Sequence, residues 1–344
     1  MKVLHLLAAL AWSHLCRLSS AQSFRGERQS RSNKRDERIA EPSEEQSRDI
    51  KREERIIGGF EAPEDRHSYA VALRDSLGLF CGGSLIAKDV VLTAAHCKGP
   101  PFSVVIGRHD IRDEDGEVIG IKRQLPHPNY RAIATDNDFM LVFLKRPVAA
   151  ENARLVKLNF SNSVPQTGKA VTVMGWGDTD VSHNVELSDV LMKAQVNVIA
   201  NDQCDASSGR LNGMFDTYQG RITSNMICAK ANRRDSCQGD SGAPLVIQRG
   251  NGDLQVGIVS WGVGCASPNF PGVYARVSRA YFWIEREVCK GSQYAKQAGF
   301  RCSNSNNTPD PASGGRGSDC SSMKKWVCKN SNSCQWKMGE CIRH

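Results

Sequence analysis

After residue 21, the sequence contains no apolar run that approaches the ~20 residues a membrane-spanning helix needs. This absence argues against an integral membrane protein. The apolar residues at 3–15 follow Lys2 and precede small residues that end at Ala21. Such an order is typical of a signal peptide cleaved after Ala21, although polar residues interrupt its apolar part. We therefore expect residues 1–21 to be removed and the mature protein to be soluble, secreted and extracellular, without a membrane span.

The sequence also has few of the patterns that bind metals or nucleic acids. No two cysteines after residue 289 form a CxxC pair, which argues against a zinc site there. Outside the C-terminal tail, basic residues are not clustered with aromatic ones, and the net charge of +8 is modest for 344 residues. We therefore predict no cofactor, no metal and no nucleic-acid partner.

Residues 22–55 lack the apolar surface that a folded unit has to bury. They contain ten Lys or Arg and nine Asp or Glu, and Phe24 is their single aromatic residue. Such a composition cannot offset the conformational entropy that folding costs. Because this segment ends at Arg55, directly before Ile56-Ile57-Gly58-Gly59, we interpret it as a pro-segment rather than as a tail with no role.

The stretch Gly239-Asp240-Ser241-Gly242 presents a hydroxyl nucleophile between glycines. The small Gly239 allows its own N–H and that of Ser241 to point at one spot, where the oxyanion of an attacked carbonyl would be held. A serine reacts only with a base within hydrogen-bond reach and a third group that orients the base. His96 supplies an imidazole, and Asp138, just before an apolar stretch, supplies a carboxylate.

The order of these three residues separates the known triads. An α/β-hydrolase has its histidine after the serine, whereas the single histidine after Ser241 is the terminal His344. The nucleophile motif of that fold also has a glycine where this chain has Ala243. The order of subtilisin is not excluded by counting, but no acid before His96 has a comparable setting.

The motifs Ala94-Ala95-His96-Cys97, Asn137-Asp138 and Gly239-Asp240-Ser241-Gly242, with Arg55-Ile56-Ile57-Gly58-Gly59 before them, resemble the chymotrypsin/trypsin family of serine proteases over about residues 56–289. The resemblance implies that His96, Asp138 and Ser241 form a catalytic triad. It also implies an oxyanion hole made by the N–H groups of Gly239 and Ser241. Ala243, where the family has a second glycine, departs from the pattern without removing a catalytic group.

Short apolar stretches separated by turn residues predict β-strands throughout this region. Six strands are predicted at 69–73, 83–86, 90–93, 103–106, 118–121 and 139–144, and six more at 170–174, 193–199, 226–229, 243–248, 254–260 and 272–277. Residues 279–288 have the pattern of a C-terminal helix. The resemblance implies an all-β fold of two antiparallel six-stranded β-barrels, with the active site in the crevice between them. We also predict a small disulfide-rich tail.

Thirteen cysteines indicate an oxidising compartment. The resemblance implies the disulfides Cys81–Cys97, Cys204–Cys228 and Cys237–Cys265. Cys289 is then left over in residues 56–289, and five cysteines follow it, at 302, 320, 328, 334 and 341. Residues 56–289 and the tail thus each contain an odd number of cysteines. If all are oxidised, Cys289 should form a disulfide with one of these five.

Substrate preference is expected to come from Asp235, because trypsin-like members of the family have a carboxylate there, at the base of the specificity pocket. Gly262 and Gly272 would be the walls, small enough for a long Arg or Lys side chain to enter. Ser260-Trp261-Gly262 should pair with the main chain of the substrate as an added strand. The resemblance thus implies an endopeptidase that cleaves proteins or peptides after Arg or Lys.

The resemblance also implies a zymogen. Cleavage after Arg55 would create a new amino terminus at Ile56, whose ammonium pairs with Asp240. We therefore divide the chain into a signal peptide (1–21), a pro-segment (22–55), a protease domain (56–289) and a cysteine-rich C-terminal extension (290–344). Trp326 and Trp336 lie among lysines of this extension, either as the core of a disulfide-stapled module or as a surface for a glycan or protein partner.

Other polar residues are predicted to be exposed. Asp136, two residues before Asp138, is interpreted as a solvated loop acid, and four histidines are interpreted as surface residues: His67, His109, His127 and His183. Sequons at Asn159 and Asn306 indicate, weakly, a glycoprotein. Residues 108–117 contain several acids, but Arg108 stands where calcium-binding trypsins have a glutamate ligand, so calcium binding is not expected.

Two other functions would share these residues. A secreted binding protein would use the protease body as a scaffold for the tail, but a protease that has become a scaffold has usually lost a member of its triad. An esterase would use the same triad with a different pocket, and Asp235 with its two glycine walls argues against that pocket.

Overall fold

The computed structural model describes residues 59–149, 154–178, 187–231, 239–250 and 252–302, together with the backbone of 334–337 and 340–343. Some predictions concern residues outside these ranges: the signal peptide, the pro-segment with Arg55 and Ile56, the pocket acid Asp235, Cys237, His183 and the Asn306 sequon. In the described part of the chain, no helix is both long and apolar enough to cross a membrane.

The first barrel follows a two-residue strand, β1 (Phe60–Glu61), and has six antiparallel strands. These strands are β2 (Ala70–Asp75), β3 (Gly78–Ala87), β4 (Val90–Thr93), β5 (Ser103–Ile106), β6 (Glu117–Pro126) and β7 (Met140–Leu144). They close in the order β2-β3-β4-β7-β6-β5. Every residue of β4 and β7 is buried, so the apolar runs that predict these strands lie in the core of the barrel.

The second barrel is formed by the next part of the chain. Its elements are β8 (Lys157–Leu158), β9 (Ala170–Gly175), β10 (Met192–Ile199), α1 (Asn201–Asp205), β11 (Ser208–Leu211), β12 (Met214–Thr217), β13 (Met226–Lys230), β14 (Pro244–Ile247), β15 (Leu254–Trp261), β16 (Gly272–Arg276) and α2 (Val277–Gly291). Strands β10, β13, β16, β15, β14 and β9 close into an antiparallel barrel, because β10 pairs with both β13 and β9. The predicted all-β fold of two six-stranded barrels with a C-terminal helix is confirmed.

One hairpin of the second half has no counterpart in the prediction. Strands β11 and β12 form a two-stranded sheet of their own around Asn212 and Gly213, whose φ angles are 49° and 82°. Positive φ at both turn residues gives the turn that joins two twisted strands directly, and Asn-Gly is its usual sequence. The Asn212-Gly213 dipeptide is therefore the feature of the sequence that could have predicted this hairpin. The two strands themselves are partly exposed and lack the alternation that predicts a strand.

The disulfides Cys81–Cys97 and Cys204–Cys228 are present, as the resemblance implies. Cys265 is also in a disulfide, although its predicted partner lies outside the described residues. A further disulfide joins Cys289 in α2 to Cys302, which is the connection that the cysteine count predicts. Between them, Ala295 and Phe300 are buried in the core cluster that contains the interior of the first barrel and the buried face of α2.

Beyond residue 302, the described backbone of the extension forms one hairpin, of β17 (Cys334–Lys337) and β18 (Glu340–Arg343). The two strands are antiparallel, with Trp336 opposite Cys341. The composition of the tail predicts a small stapled module but no particular strand, and its partner remains a prediction.

The prediction of exposure is wrong for two histidines. His67 is 1% exposed and His127 is 6% exposed. The ring of His127 packs edge-on against Trp283, with the ring centroids 4.7 Å apart. The sequon residue Asn159 is also buried, and its amide donates to the carbonyl oxygens of Ser161 and Val164 at 2.9 and 2.7 Å. In this fold Asn159 is therefore a structural residue and a poor glycan acceptor.

His67 is buried because other polar groups satisfy both of its ring nitrogens. Its Nδ1 lies 3.1 Å from the Tyr69 hydroxyl, which donates to Asp253 at 2.6 Å. Arg66 binds the same carboxylate with two nitrogens, at 2.9 and 2.6 Å. The amide of Gln248 lies 3.2 Å from Nε2 of His67. These contacts suit the neutral imidazole with its proton on Nδ1, since Nε2 then accepts from the amide.

This cluster predicts a loss of stability in mild acid. Burial, together with the nearby charge of Arg66, lowers the pKa of His67 from 6.5 to about 4. Between these two pH values the unfolded chain binds the proton and the folded chain does not, so the free energy of unfolding falls as the pH falls. We expect the melting temperature to decline more steeply from pH 6.5 to pH 4 in the wild-type protein than in His67→Gln. Parallel melting curves for the two proteins would contradict this role of His67.

Candidate active site

The loop that carries Ser241 is tied to the first barrel through its backbone. The N–H of Gly82 in β3 donates to the Ser241 carbonyl oxygen at 2.8 Å, and Sγ of Cys97 lies 3.6 Å from the same oxygen. Cys97 directly follows His96, so the backbone of Ser241 lies against the turn that carries the imidazole. The two motifs, which are far apart in sequence, therefore meet at one place.

Close packing around this loop explains its glycines. Gly242 has a φ of 82°, and a Cβ there would lie 2.2 Å from Oγ1 of Thr93. Glycine is therefore required at this position. Ala243, the departure from the family pattern, is 1% exposed. It lies against Gly82, where an added Cβ would come within 2.9 Å of the Ala243 methyl group. The absence of a side chain at Gly82 makes room for the alanine.

His96 and Asp138 form the most closely connected pair of the site. His96 lies in a 3₁₀ turn, Ala95–Cys97, which the Cys81–Cys97 disulfide attaches to β3. Its Nδ1 is 2.7 Å from Oδ2 of Asp138, and its backbone N–H donates to Oδ1 at 3.0 Å. Asp138 is fully buried, whereas the His96 side chain is 29% exposed. This contact favours the tautomer with the proton on Nδ1, which leaves Nε2 free to accept one.

Ser260 is a third partner of this pair, a contact that the sequence does not reveal, since the motif assigns Ser260 only to the substrate main chain. Its hydroxyl donates to Oδ2 of Asp138 at 2.6 Å. The register between β15 and β16 shifts between Val259 and Trp261, which is a bulge at Ser260. Bulges re-aim side chains beside active sites. Ser260 and Asp138 are 122 positions apart in sequence, and no spacing signal predicts their contact.

His96 and Ser241 are neighbours, but no hydrogen bond connects their side chains in the described part of the structure. Catalytic hydrogen bonds are often long in free enzymes and shorten when substrate binds. The structure therefore brings His96 and Asp138 into direct contact and Ser241 beside them. A serine whose backbone lies beside an imidazole oriented by a buried carboxylate belongs to an arrangement that can attack a carbonyl carbon once its hydroxyl meets the imidazole.

The two residues before Ser241 are held against the end of β9. Gly239 has a φ of 88°, and Asp240 is 1% exposed, with its Oδ1 accepting from the Gly177 N–H at 2.9 Å. A Cβ on Gly175 or Gly177 would lie 2.2 or 2.4 Å from atoms of the Asp240 carboxyl group. Both glycines are therefore needed to admit this carboxylate.

The predicted pocket walls, Gly262 and Gly272, lie opposite each other. A Cβ built on Gly262 would be 4.0 Å from Cα of Gly272 and 3.8 Å from the hydroxyl oxygen of Tyr218. That hydroxyl donates to the Pro271 carbonyl oxygen at 3.1 Å and accepts from the Val263 N–H at 2.9 Å. Tyr218 thus fixes the backbone beside both glycines.

Asp136 is not the solvated acid that the sequence predicts. It is 3% exposed, and its carboxylate accepts hydrogen bonds from Thr223 at 2.8 Å and from Asn225 at 3.1 Å. Arg131 lies 2.9 Å from its Oδ2. Burial alone would raise the pKa of Asp136, but these hydrogen bonds outweigh it and hold the pKa below the usual value. Asp136 therefore joins the loop before β7 to the segment before β13.

Metal ligands are scarce among the described residues. The one close group of candidate ligands in this part is Cys81, His96 and Cys97, whose two sulfurs form a disulfide and cannot act as thiolates.

In residues 108–117, arginines bind the oxygens that a cation would otherwise contact. Arg108 donates to the carbonyl oxygens of Asp115 and Ile111 at 2.7 and 3.3 Å, and Arg112 pairs with Asp110 at 2.5 Å. Glu117 pairs with Arg146. Guanidinium groups thus bind several of the oxygen atoms of this loop.

Comparisons with known proteins agree with this geometry. The family model described as Trypsin matches residues 56–284. The chain is 38% identical to serine protease 1 of Rattus norvegicus over 237 residues, which cover 68% of this chain and 89% of the rat protein. It is 37% identical to the anionic trypsin of Canis lupus familiaris over 241 residues, with 69% and 91% covered. It is also 37% identical to the trypsin of Sus scrofa over 237 residues, with 68% and 95% covered.

Proposed function

The chain belongs to the trypsin family of serine proteases, and from this premise we propose that it is a secreted endopeptidase that cleaves proteins after Arg or Lys and is made as a zymogen. Like the other members of this family, it is a hydrolase that acts on proteins. The observation that carries the proposal is the contact of His96 with the buried Asp138, beside the loop of Ser241.

In the mechanism we propose, Ser241 is the nucleophile and His96 the base. The serine oxygen bonds to the carbonyl carbon of the substrate while its proton passes to Nε2 of His96. The imidazolium then protonates the leaving amine as the C–N bond breaks, which leaves an acyl-enzyme. Water, deprotonated by His96, releases the acid and restores the serine. Asp138 holds the tautomer and stabilises the imidazolium.

Two groups support this chemistry around the reacting atoms. The N–H groups of Gly239 and Ser241 would bind the oxyanion, and the positive φ of Gly239 is consistent with a glycine in that role. Ser260 donates to Asp138 and so helps to fix the carboxylate as an acceptor. Ser260, Trp261 and Gly262 would also bind the main chain of the substrate as an added strand.

The preference for Arg or Lys rests on Asp235 and on the two glycines, Gly262 and Gly272, as walls of the pocket. A side chain at either glycine would narrow the space that a long basic residue needs. A carboxylate at the base of a desolvated pocket is costly without a cation, and a substrate guanidinium or ammonium supplies one. These two features together favour basic over aromatic or small residues before the cleaved bond.

Replacement of Asp235 tests this preference. We expect Asp235→Ser to weaken transition-state binding of Arg and Lys peptides by about 2–5 kcal/mol, because breaking a buried charge pair costs about that much. This loss would appear as a lower kcat/KM. The measurement is kcat/KM of the activated enzyme on matched peptides that differ only in Arg, Lys, Phe or Ala before the cut. The Phe and Ala rates should change much less.

A matched control is Asp113→Ser, which removes an exposed carboxylate of the first barrel. It should leave all four rates unchanged. An undiminished preference for Arg in Asp235→Ser would mean that the pocket acid is another residue.

Secretion and the division into domains belong to the same proposal. Disulfides in both barrels support an oxidising, extracellular location. We propose that residues 1–21 are the signal peptide, that 22–55 are the pro-segment removed by cleavage after Arg55, and that residues 290–344 form a cysteine-rich extension, either a stapled module with its own small core or a surface for a glycan or protein partner.

A further inference from the structure

We propose that Arg221 gives the cleft a second specificity site. It favours an acidic side chain at the third or fourth residue before the cleaved bond, where the basic residue at the cut is counted as the first. The inference rests on the proposed function, because it takes the strand of Trp261 as the place where the substrate main chain binds.

Arg221 lies on the aromatic wall of that strand. Its guanidinium carbon is 4.7 Å from the centre of the Trp261 ring and 5.9 Å from that of Tyr218. The two rings meet edge to face with centroids 4.8 Å apart, and Tyr218 is fully buried. A cation over such a face is attracted by the ring electrons. The Arg221 side chain is still 49% exposed, so part of it is open to a ligand.

The backbone under Arg221 is held in place by one carboxylate. Asp205, at the end of α1, accepts from the successive N–H groups of Gly220, Arg221 and Ile222 at 3.0, 3.1 and 3.0 Å. The backbone bonds from Gly220 and Ile222 are the main reason why the pKa of Asp205 is lowered. The adjacent Cys204 is joined to Cys228. The cation is therefore preorganised rather than carried on a free loop.

Arg221 keeps unused charge and hydrogen-bond capacity. Among the residues that the structure describes, its ion pair is with Asp216 in β12, at 3.6 Å, and this carboxylate is itself 44% exposed. The other polar contact of the guanidinium is to the Thr217 carbonyl oxygen at 3.5 Å. A guanidinium has five N–H donors, and both of these contacts are long. A carboxylate from a substrate would find free donors here.

The position of Arg221 relative to the pocket determines which residue of the substrate it would contact. The basic side chain enters between Gly262 and Gly272, and the substrate main chain then runs along Trp261 and away from the pocket. A strand rises about 3.3 Å per residue, so the third and fourth residues lie about 7–10 Å from the first. These residues therefore pass the wall on which Arg221 lies.

The activation sequence of the chain itself has the matching charge. Its residues before the cut are Lys51-Arg52-Glu53-Glu54-Arg55. Counted from Arg55, the third residue is Glu53, whereas the fourth is Arg52. An enzyme that prefers an acid at the third residue would favour its own activation site over most other basic sites.

The test uses the activated enzyme and two pairs of peptides, all with Arg at the cut. One pair differs by Glu or Gln at the third residue, and the other at the fourth. We expect kcat/KM to be about threefold to fivefold higher for Glu at one of these positions, mainly through KM, as for a partly exposed charge pair. The preference should weaken with added salt.

Variants assign the effect to Arg221. Arg221→Gln should remove the preference, Arg221→Glu should invert it, and Asp216→Asn should increase it because a competing carboxylate is gone. The matched control is Arg210→Gln, an exposed arginine of β11 whose guanidinium donates to the Gly213 carbonyl oxygen. It should keep the wild-type preference.

The glutamine peptides separate this inference from the proposed function. If the wild-type enzyme cleaves them and shows no acid preference at either position, or if Arg221→Gln keeps the preference, the second site is overturned and cleavage after Arg stands. If none of the peptides is cleaved, both proposals fail. A merely structural role of Arg221 predicts lower rates on all four peptides together with a lower melting temperature, and that result would also overturn the site.

Discussion

Ser241→Ala is expected to lower kcat on peptides by about 10⁶-fold, because the nucleophile, the base and the carboxylate act as one unit. The substitution removes one oxygen from a residue whose backbone, not its side chain, makes the contacts to Gly82 and Cys97. The fold should therefore remain intact. The measurements are turnover of an Arg peptide, labelling by a fluorophosphonate that requires an activated serine, and the melting temperature.

Ser208→Ala, at an exposed serine of β11, is the matched control and should keep full turnover and labelling. Residual cleavage of about 10³- to 10⁴-fold over the uncatalysed rate is compatible with the triad, since the oxyanion donors remain. Turnover equal to that of the wild type would mean that another residue is the nucleophile.

Substitutions that block activation are expected to have the second large effect on peptide turnover. With Arg55→Gln, the chain from residue 22 onward should stay inactive, because no ammonium forms at Ile56. The cut form with Asp240→Asn should lose activity by about 10²–10³-fold or more, since breaking a buried ion pair costs about 3–5 kcal/mol. Asp240 is 1% exposed beside Gly175 and Gly177, in a space that only glycines leave open. A buried carboxylate next to the nucleophile suits a switch of this kind.

The measurement is peptide turnover before and after treatment with a trypsin, together with N-terminal sequencing of the product, which should begin at Ile56. Arg52→Gln, three residues before the cut, is the control and should still be activated. Full activity of uncut Arg55→Gln, or of cut Asp240→Asn, would show that the pair of Ile56 with Asp240 is not the switch.

Most of the fold follows from local sequence. Strands such as β4 and β7 are continuous apolar runs because all of their residues are buried, so their positions are readable from composition alone. Strand β6 is longer than predicted because Lys122 and Arg123 are exposed, while antiparallel pairing with β7 continues through Pro126. An exposed face leaves no apolar signal, so the end of such a strand is set by its neighbour.

In the candidate site, too, some residues can be predicted from local sequence and others cannot. His96 and Asp138 lie in recognisable local motifs, whereas the Ser260 that donates to Asp138 and the Thr223 that donates to Asp136 come from the other barrel. Whether a polar side chain is buried depends on partners that the chain brings from 87 or 122 residues away. The same reason explains why Asp136 and His67 read as exposed residues in the sequence and are buried in the fold.

The disulfide between Cys289 and Cys302 determines how the extension would carry mechanical load. Any pull on the chain beyond residue 302 enters the folded part at Cys302 and passes through the disulfide to α2. The segment between the two cysteines is thereby shielded from tension. Ala295 and Phe300 can remain buried in their core cluster under a force that would otherwise detach them first. A protease held at a surface by its tail would thus keep the core contacts of residues 290–301, while α2 carries the load.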